Sequence, residues 1–425
     1  MIYYQKGSKN LTLKLSDLKQ GLWSAFDQIG HKKKILIIPP DFTRYHSQAG
    51  MITQLAYQYY GKSISAILPA LGTHHPMSEE EIKKMYGKIP NGLFKIHNWR
   101  KDIMTLGEVN ADIIYHISEG KINYPWPVQL NKMLVEGKYD LILSIGQVVP
   151  HEVAGMAGYN KNILIGTGGK DGINKSHYLG AVYGMERIMG NARNPVKQVL
   201  NYASERFLQT LPIVYVHSVI RRDISGKLQV CGLYIGDEIE CFNHAAGLSQ
   251  KVNIELLKEP LKKVIVYLNP QEYKSTWLGN KSIYRTRMAI ADGGELIVLA
   301  PGISQFGEDA EIDKLIRKYG YKGTENIFSE VTKNEELRYN LSAAAHLIHG
   351  SSEGRFSVTY CPGFLSKEEI ESVGFNYGDL KTMLTLYNPS SLKEGYNILP
   401  GGEKIYYISN PALGLWADKT KFNMQ

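Results

Sequence analysis

The stretch Ser144–His177, SIGQVVPHEVAGMAGYNKNILIGTGGKDGINKSH, decides how the rest of the chain is interpreted. An apolar run just before it predicts one strand, and a second apolar run at Ile163–Ile165 predicts another. His151, Lys161 and, beyond a glycine-rich loop, His177 follow these runs. Glycine lets the main chain approach a ligand closely, and open α/β sheets bind ligands just past their strand ends. The stretch is therefore either a ligand site or a loop-rich connection with surface Lys and His side chains.

Short apolar runs alternate with helical patterns over most of the chain. The run Ile35–Ile38 is wholly apolar, as in a strand buried on both faces. Ser78 opens a capping-box pattern for a helix that ends near Tyr86. Strands that alternate with helices indicate βαβ units, so we predict an α/β fold with mainly parallel sheets flanked by helices. The other main predicted strands are Ile64–Leu71, Phe94–Trp99, Ile213–Val216, Leu228–Tyr234, Val264–Leu268 and Leu296–Leu299, and the other main predicted helices are Ser47–Tyr60, Ile239–Leu257, Tyr284–Ala291, Asp309–Tyr319 and Leu341–Ile348.

The length of 425 residues favours two domains. Glu259 and Pro260 interrupt a helical pattern, and a new strand pattern follows them. We predict an N-terminal α/β domain at residues 1–258 and a C-terminal α/β domain at residues 259–425. The active site is expected in the cleft between the two domains.

The charge of the chain is spread rather than clustered. The net charge is +8 and the pI is about 9.0, but Lys and Arg are scattered apart from Lys32–Lys34. This pattern favours a small anionic ligand over a nucleic-acid groove. Three cysteines without a CxxC motif fit a reducing cytosol. Neither a signal-peptide pattern nor an apolar stretch of about 18 residues occurs, so we expect a cytoplasmic protein without nucleic-acid or membrane partners.

Ionisable side chains follow several predicted strands. Asp41 and Arg44 follow one strand, His74 and His75 follow another, and His151 follows a third. Carboxyl ends of parallel strands meet at one edge of a sheet, so these groups are expected to share a site. Arginine there either binds a carboxylate or phosphate or simply pairs with the neighbouring aspartate. A histidine can exchange protons near neutral pH, and only one of the two adjacent histidines is expected to face the site.

Three histidines also permit a metal site. His74, His151 and His177 could hold a catalytic zinc ion, although HExxH and other short zinc spacings are missing. Gly166–Lys170 resembles a phosphate-binding loop but lacks the GxGxxG and GxxxxGK[ST] patterns. A three-histidine metal enzyme therefore stays open as an alternative, and a nucleotide site of those two classes is not supported.

The spaced set of motifs resembles the nickel-pincer-dependent lactate racemase family. The resemblance rests on His151, Lys161 and His177 at their observed spacing. Asp41–Arg44 resembles a DxTR element, and Gly72–Pro76 resembles a G-x-H-R-P element in which a second histidine replaces the arginine. The resemblance covers the first predicted domain well and the second more loosely.

The resemblance implies a nickel-pincer nucleotide cofactor, the nickel complex of pyridinium-3-thioamide-5-thiocarboxylic acid mononucleotide. Carried over to this chain, Lys161 is the covalent tether and His177 is the nickel ligand. His74 and His151 become paired acid/bases, one for each enantiomer of the substrate. The remaining implied contacts to the cofactor are Asp41, Thr43 and Arg44, and Arg44 also contacts the substrate.

The second predicted domain departs from the family pattern. Where that pattern has a Tyr-Gln pair followed by a lysine, this chain has Tyr284, Arg285, Arg287 and Met288. Tyr284, Arg285 and Arg287 are the predicted substrate-binding residues. The additional guanidinium groups favour a larger and more polar acid than lactate. Alternatively, the two arginines bind only cofactor phosphate, or pair with acidic residues, of which Glu353 and Asp292 are the candidates.

These observations predict a racemase or epimerase that inverts C2 of a small anionic 2-hydroxy acid, an aldonate of the gluconate/mannonate kind rather than lactate. Maturation would then need cofactor-biosynthesis proteins as partners. Three alternatives stay open: a racemase of lactate or another short 2-hydroxy acid, a three-histidine metal-dependent sugar-acid lyase, and a non-catalytic protein that binds an anionic metabolite.

Overall fold

Two six-stranded sheets organise the computed structural model, which describes residues 1–223 and 226–422. Contacts between residues divide the chain into two units. The first unit comprises Met1–Leu179 and Ile188–Asn253, and the second comprises Gly180–Arg187 and the chain from Ile254 onward. Both sheets are mostly parallel and flanked by helices, which confirms the predicted α/β class.

The sheet of the first unit has the strand order β1-β10-β9-β6-β2-β3. β9, β6, β2 and β3 are parallel neighbours, and β10 and β1 continue the sheet in antiparallel pairing. The strands of this unit are β1 (Ile2–Gly7), β2 (Ile35–Ile38), β3 (Ile64–Ile67), β4 (Ile103–Val109), β5 (Trp126–Asn131), β6 (Leu141–Gln147), β7 (Pro150–His151), β8 (Gly155–Met156), β9 (Ile213–Arg222) and β10 (Leu228–Gly236). The helices are α1 (Leu15–Ile29), α2 (Ala49–Tyr60), α3 (Glu79–Tyr86), α4 (Ala111–Ile117), α5 (Lys132–Glu136), α6 (Asn160–Leu164), α7 (Lys170–Tyr183), α8 (Met185–Ile188), α9 (Pro195–Phe207) and α10 (Ile239–Asn253), of which α7 and α8 extend into Gly180–Arg187.

The core of the first unit lies between its sheet and the helices α1 and α2. All four residues of β2 are buried because helices or loops cover both faces of a central parallel strand. Leu18, Leu22 and Phe26 recur at helical spacing on α1 and pack into the same core. This rigid core fixes the strand ends from which the candidate site is built.

The second unit repeats the architecture with the order β15-β14-β13-β12-β17-β16. Only the edge pair β16–β17 is antiparallel. Its strands are β11 (Ile254–Leu257), β12 (Leu261–Tyr267), β13 (Ile290–Ala300), β14 (Ser357–Pro362), β15 (Asn376–Tyr377), β16 (Gly395–Ile398), β17 (Lys404–Ile408) and β18 (Leu415–Asp418). Its helices are α11 (Thr276–Gly279), α12 (Lys281–Tyr284), α13 (Ala310–Tyr319), α14 (Thr324–Lys333), α15 (Glu335–Tyr339), α16 (Leu341–His349), α17 (Lys367–Ser372) and α18 (Leu380–Leu386).

The segment Gly180–Arg187 belongs to the second unit although it interrupts the first in sequence. Glu186 explains this assignment, because its Oε1 accepts from Arg287 Nε at 3.1 Å and from Arg355 Nη1 at 3.0 Å. The sequence boundary between residues 258 and 259 stays a prediction, as does the interdomain cleft. The contacts place the later division between Asn253 and Ile254, after α10.

Several sequence predictions are confirmed by the structure. Ile35–Ile38 is a strand, and Ser78 and Ser366 each cap a helix through a complete capping box. α13 and α16 match the predicted helices within a few residues. Among residues 1–223 and 226–422, no helix combines the length and the apolar composition needed to cross a bilayer.

Three local predictions are wrong. Ile163–Ile165 is not a strand, because its first two residues end the helix α6 and an apolar triplet is too short to show a period. Phe94–Trp99 forms only a single bridge from Phe94 to Ile67, whereas the strand of that region is β4. The predicted helix Tyr284–Ala291 is not formed. The observed helix α12 lies before it and ends at Tyr284, and the strand β13 starts at Ile290.

Truncating a buried residue of β6 tests the core of the first unit. Leu143 is fully buried, so Leu143→Ala is expected to lower the free energy of unfolding by about 2–5 kcal/mol through a cavity and lost apolar burial. Leu15→Ala is the matched control, since Leu15 is 56% exposed at the start of α1, and its effect should stay within about 0.5 kcal/mol. Urea denaturation followed by circular dichroism measures both. Equal destabilisation by the two variants would contradict this packing.

Candidate active site at the carboxyl edge of the first sheet

A pocket lies where the strand order of the first sheet reverses. The chain passes from β2 to β3 on one side, and then crosses back to β6 and β9 on the other side of β2. Ligands of open α/β sheets bind outside the carboxyl ends of the strands at such a switch point. The pocket is lined by Pro40 beyond β2 and by Gly146 and Gln147 at the end of β6.

Asp41 and His74 meet at this edge. His74 Nδ1 lies 2.6 Å from Asp41 Oδ2, and Thr43 Oγ1 donates to Asp41 Oδ1 at 2.6 Å. Burial alone would raise the pKa of Asp41, but the attraction of His74, the hydrogen bonds from His74 and Thr43 and the charge of Arg44 together lower it. Asp41 is therefore a carboxylate, and His74 donates its Nδ1 proton to it. His75 is exposed, so the structure distinguishes the two adjacent histidines.

Lys161 stands on the short helix α6, which the neighbouring asparagine fixes to the sheet. Asn162 Nδ2 lies 3.1 Å from the carbonyl oxygen of Ile38 and 3.0 Å from Ser144 Oγ, so it bridges the end of β2 and the middle of β6. Lys161 lines the pocket. Burial, followed by the repulsion of Arg44, lowers the pKa of Lys161 to about 8. About one tenth of this amine is therefore neutral and nucleophilic at pH 7, far more than for an ordinary lysine.

His177 lies on α7, and one of its ring nitrogens forms a hydrogen bond within the helix. Its Nδ1 donates to the carbonyl oxygen of Ile173, one helical turn earlier, at 2.7 Å. Burial lowers the pKa of His177 to about 4, and the charge of Lys161 acts in the same direction. The neutral ring therefore keeps its lone pair on Nε2, which is the form in which histidine binds metal ions. His177 is close enough to Lys161, Glu152 and His74 for each to influence its pKa.

His151 ends β7 and is buried. Its Nδ1 accepts from the backbone N–H groups of Val153 at 3.2 Å and Ala154 at 3.4 Å. Glu152 Oε2 lies 3.9 Å from the same nitrogen. The two predicted acid/bases thus differ in surroundings, since a carboxylate faces Nδ1 of His74 and main-chain donors face Nδ1 of His151.

Sequence reasoning missed several groups of the pocket. Gln147 Oε1 and His217 Nε2 are buried and accept or donate no hydrogen bond among the described residues, although both residues line the pocket. Tyr159, directly before α6, has a φ of 55°, an uncommon conformation for a tyrosine that often marks a functional site. The sequence could have indicated His217, because it is the one histidine within the apolar strand pattern of β9.

Lys197 is buried beside this pocket. Its Nζ donates to the carbonyl oxygen of Gly158 at 3.0 Å and lies 4.2 Å from the ring centre of Phe242. Burial, together with the charge of Lys161, lowers its pKa well below the ordinary value of lysine. Lys197 and Lys161 are therefore two buried amines close enough to repel each other.

His74, His151 and His177 do not form a metal-binding group among the described residues. Within residues 1–223 and 226–422, no group of three His, Cys, Asp or Glu side chains is placed to hold a metal ion. His74 and His177 have their Nδ1 protons committed to Asp41 and Ile173. His151 has its Nδ1 committed to backbone donors. A metal ion at this edge would need ligands from a bound group in addition to protein.

The predicted substrate residues of the second unit are all buried. Arg287 is paired with Glu186 rather than with Glu353 or Asp292, the two acids considered from the sequence. Asp292 instead pairs with Arg355, and Glu353 accepts from Thr324. Arg285 is 2% exposed, and its Nη1 donates to the carbonyl oxygen of Gly414 at 3.4 Å. Their role in substrate binding stays a prediction.

Comparison with known proteins agrees with this geometry. Residues 23–188 match the family model of the lactate racemase N-terminal domain. This part of the chain is therefore similar to the lactate racemase N-terminal domain. The matched region contains the residues Asp41, His74, His151, Lys161 and His177.

Individual relatives are distant from this chain. The lactate racemase of Thermoanaerobacterium thermosaccharolyticum is 27% identical over 221 residues, which are 49% of this chain and 46% of that protein. The matched part thus spans about half the length of the curated relative.

Solved structures share the fold over almost the whole chain. A crystal structure of a Thermotoga maritima protein matches with a TM-score of 0.79 at 23% identity, covering 96% of this chain and 99% of that one. The lactate racemase apoprotein from T. thermosaccharolyticum matches with a TM-score of 0.63 at 17% identity, covering 96% and 89%. At these identities the two structures establish the fold of the chain.

Buried neutral histidines predict that acid weakens the first unit. Burial lowers the pKa of His97 to about 4, of His177 to about 4 and of His217 to about 3, so the unfolded chain takes up protons first as pH falls below about 6.5. Their stabilising contribution is complete above that pH and is lost between about pH 6.5 and the folded pKa. His217→Phe, which keeps the ring packing, should reduce the loss of unfolding free energy between pH 7 and pH 5 by about 2 kcal/mol.

Urea denaturation at pH 7 and pH 5 measures this effect. His75→Phe, the same substitution at an exposed site, should leave the pH dependence unchanged. An identical pH dependence in His217→Phe and the parent protein would contradict a neutral, buried His217.

Proposed function

We propose that the chain is an isomerase that inverts C2 of a 2-hydroxy acid and works with a nickel-pincer nucleotide attached to Lys161. The observation that supports this most strongly is one edge of a sheet that combines the Asp41–His74 pair with the buried amine of Lys161. The match of residues 23–188 to the lactate racemase N-terminal domain supports the same reaction class.

The residues of the pocket fit such a cofactor. Lys161 offers an amine of lowered pKa for a covalent bond, and His177 offers the Nε2 lone pair for nickel. Gly146 has no neighbour within 4 Å of where a Cβ atom would stand, so the end of β6 leaves room for a ligand. His217 Nε2 and Gln147 Oε1 provide buried polar atoms that a bound nucleotide can satisfy. When bound, the group supplies the reversible acceptor for the C2 hydride.

The protein contributes proton transfer and orientation. His74 Nε2 takes the proton of the 2-hydroxyl group, and Asp41 stabilises the imidazolium that forms. Loss of the proton and of the C2 hydride leaves a planar 2-keto acid. When this acid turns its other face to the returning hydride, C2 is inverted. Arg44, which lines the pocket, is the proposed partner of the substrate carboxylate.

The proposed substrate is a polar acid longer than lactate, of the aldonate kind. This part of the proposal is supported by Arg285, a guanidinium where the family pattern has a glutamine, and by Tyr284 beside it. Arg287 contributes less support than the sequence indicated, because its charge is met by Glu186. Lactate or another short 2-hydroxy acid is the alternative that a substrate panel decides.

Deuterium at C2 tests the reaction class. Protein produced together with cofactor-making proteins is incubated with C2-deuterated gluconate, mannonate or lactate in ordinary water. We expect the inverted product of a sugar acid to retain deuterium, because the hydride leaves and returns without exchange. Mass spectrometry and NMR measure retention and inversion. Inversion with loss of the label to water would contradict hydride transfer, and turnover of lactate alone would contradict the sugar-acid assignment.

Replacing His74 tests its role in proton transfer. His74→Gln should lower turnover of the loaded protein by about 10²–10⁴-fold, the usual contribution of a general acid/base. His75→Gln is the matched control, since that neighbouring ring is exposed, and should retain the parent turnover. Similar rates in His74→Gln and the parent would remove His74 from the mechanism.

The lowered pKa of Lys161 predicts its chemical reactivity in the protein without cofactor. Because only the neutral amine reacts, acetylation of Lys161 by acetic anhydride should reach half its maximal rate near pH 8, compared with about 10.4 for an ordinary lysine. Arg44→Gln should move this midpoint upward by removing a repulsive charge. Peptide mass spectrometry after timed labelling gives the rate at each pH. A midpoint near that of ordinary lysines would contradict the lowered pKa of Lys161.

A further inference from the structure

The turn before α6 has an uncommon backbone conformation. Gly158 has a φ of 93° and Tyr159 has a φ of 55°, so two successive residues adopt positive φ. Glycine does this at little cost, whereas a tyrosine with positive φ is strained. Lys161 follows two residues later as the second residue of α6. The contacts that hold this turn therefore also fix the start of the helix that carries Lys161.

One peptide unit determines the backbone conformation of Tyr159. The carbonyl group of Gly158 and the N–H group of Tyr159 belong to the same planar unit, so they turn together. Rotating this unit by about 180° would carry φ of Tyr159 from 55° to about −125°, which lies in the ordinary β region. Gly158 permits both orientations, since it lacks a Cβ atom. The observed orientation therefore needs a contact that holds the Gly158 carbonyl group in place.

Lys197 on α9 supplies that contact. Its Nζ donates to the carbonyl oxygen of Gly158 at 3.0 Å, and both residues are buried. An amine donates a hydrogen bond with or without its third proton, so the contact persists at the lowered pKa of Lys197. A buried carbonyl group that loses its donor is destabilised. Lys197 thus opposes the rotation that would relieve the strain at Tyr159.

The helix α9 holds both Lys197 and the start of α6. Asn194 caps α9, and its Oδ1 accepts from the backbone N–H of Lys197 at 3.1 Å. Asn201 lies one helical turn after Lys197, and its Oδ1 accepts from Asn160 Nδ2 at 2.7 Å. Residues four apart share one face of a helix. Since Asn160 is the first residue of α6, one face of α9 contacts both the turn and the helix that follows it.

Phe242 connects Lys197 with the side chain of Tyr159. Lys197 Nζ lies 4.2 Å from the ring centre of Phe242, and the ring of Tyr159 stacks on Phe242 with the ring centres 5.6 Å apart. Tyr159 also packs against Tyr215, with the ring centres 4.5 Å apart. Ring contacts of this kind are favourable beyond simple burial, so they offset part of the backbone strain.

We propose that Lys197 is a positioning residue for Lys161: it holds the Gly158–Tyr159 peptide in its observed orientation and so fixes the start of the helix that presents Lys161 to the pocket. Gly158, Tyr159 and Lys161 all line this pocket. The proposal rests on the proposed function in naming Lys161 as the tether of the cofactor. The alternative is that Asn162, which contacts β2 and β6, positions Lys161 by itself.

Removing the amine tests the proposal in protein without cofactor. Lys197→Met keeps an apolar stem of similar length against Phe242, where a thioether packs favourably on the ring. A crystal structure of this variant is expected to show the Gly158–Tyr159 peptide rotated and a negative φ at Tyr159. Acetylation of Lys161 by acetic anhydride should be about tenfold slower at its high-pH plateau, because the displaced amine meets the reagent in fewer productive orientations. The plateau rate is that of the fully neutral amine, so it separates position from the loss of a neighbouring charge.

Two further variants separate positioning from general destabilisation. Lys95→Met is the matched control, because Lys95 is exposed and also donates to a backbone carbonyl, that of Gly92 at 3.1 Å, and it should retain the parent plateau rate. Tyr159→Gly removes the strain, since glycine adopts positive φ readily. Adding Lys197→Met to Tyr159→Gly should therefore slow the acetylation of Lys161 much less than adding it to the parent. This comparison also decides the matter if Lys197→Met alone does not fold.

An unrotated peptide in Lys197→Met, or a parent-like plateau rate, would overturn the proposal and leave Asn162 as the residue that positions Lys161. An equal loss in the Tyr159→Gly background would also contradict it, because Lys197 would then act independently of the backbone of Tyr159.

The proposed function fails separately, because neither the crystal structure nor the acetylation rate depends on cofactor. Parent protein that is produced with cofactor-making proteins, carries no adduct on Lys161 and inverts no 2-hydroxy acid would remove the proposed function and leave the positioning role intact. An adduct on Lys161 in both the parent and Lys197→Met, with an unrotated peptide in the variant, would remove the positioning role and leave the proposed function intact.

Discussion

The contact between Asp41 and His74 is the interaction on which the candidate site depends. A buried carboxylate is strongly unfavourable unless charged or hydrogen-bonding groups surround it, and Asp41 is only 4% exposed. His74, Thr43 and Arg44 satisfy it from two different strand ends. The same contact orients the ring of His74 and leaves Nε2 as the nitrogen that can accept a proton. The contact between Asp41 and His74 therefore contributes both to the stability of the strand ends and to the chemistry of the site.

Much of this arrangement could be predicted from the sequence, because its determinants are local. The wholly apolar run Ile35–Ile38 indicated a buried strand, and placing Asp41 and His74 after two such strands predicted their meeting. The helix at Lys161 could not be predicted, since Ile163–Ile165 shows no period of its own. This helix is fixed by Asn162, which contacts the end of β2 and the middle of β6. The backbone N–H groups that face His151 Nδ1 also escaped prediction, because main-chain donors leave no trace in the residue types.

The second unit shows the limit of pattern-based assignment more clearly. The sequence placed Arg285 and Arg287 together as substrate-binding residues, yet their surroundings differ. Arg287 is neutralised by Glu186, a residue about 100 positions earlier that the contacts assign to the same unit. Long-range ion pairs of this kind depend on how the chain folds back on itself. Arg285 is therefore the main support for a longer substrate.

The central claim is that the buried amine of Lys161 carries the cofactor. The most direct measurement is the intact mass of protein produced together with cofactor-making proteins, followed by peptide mapping. The account predicts an added mass of nucleotide size on the peptide that contains Lys161, and its absence from a Lys161→Ala variant. An unmodified Lys161 in protein that inverts a 2-hydroxy acid would contradict the account.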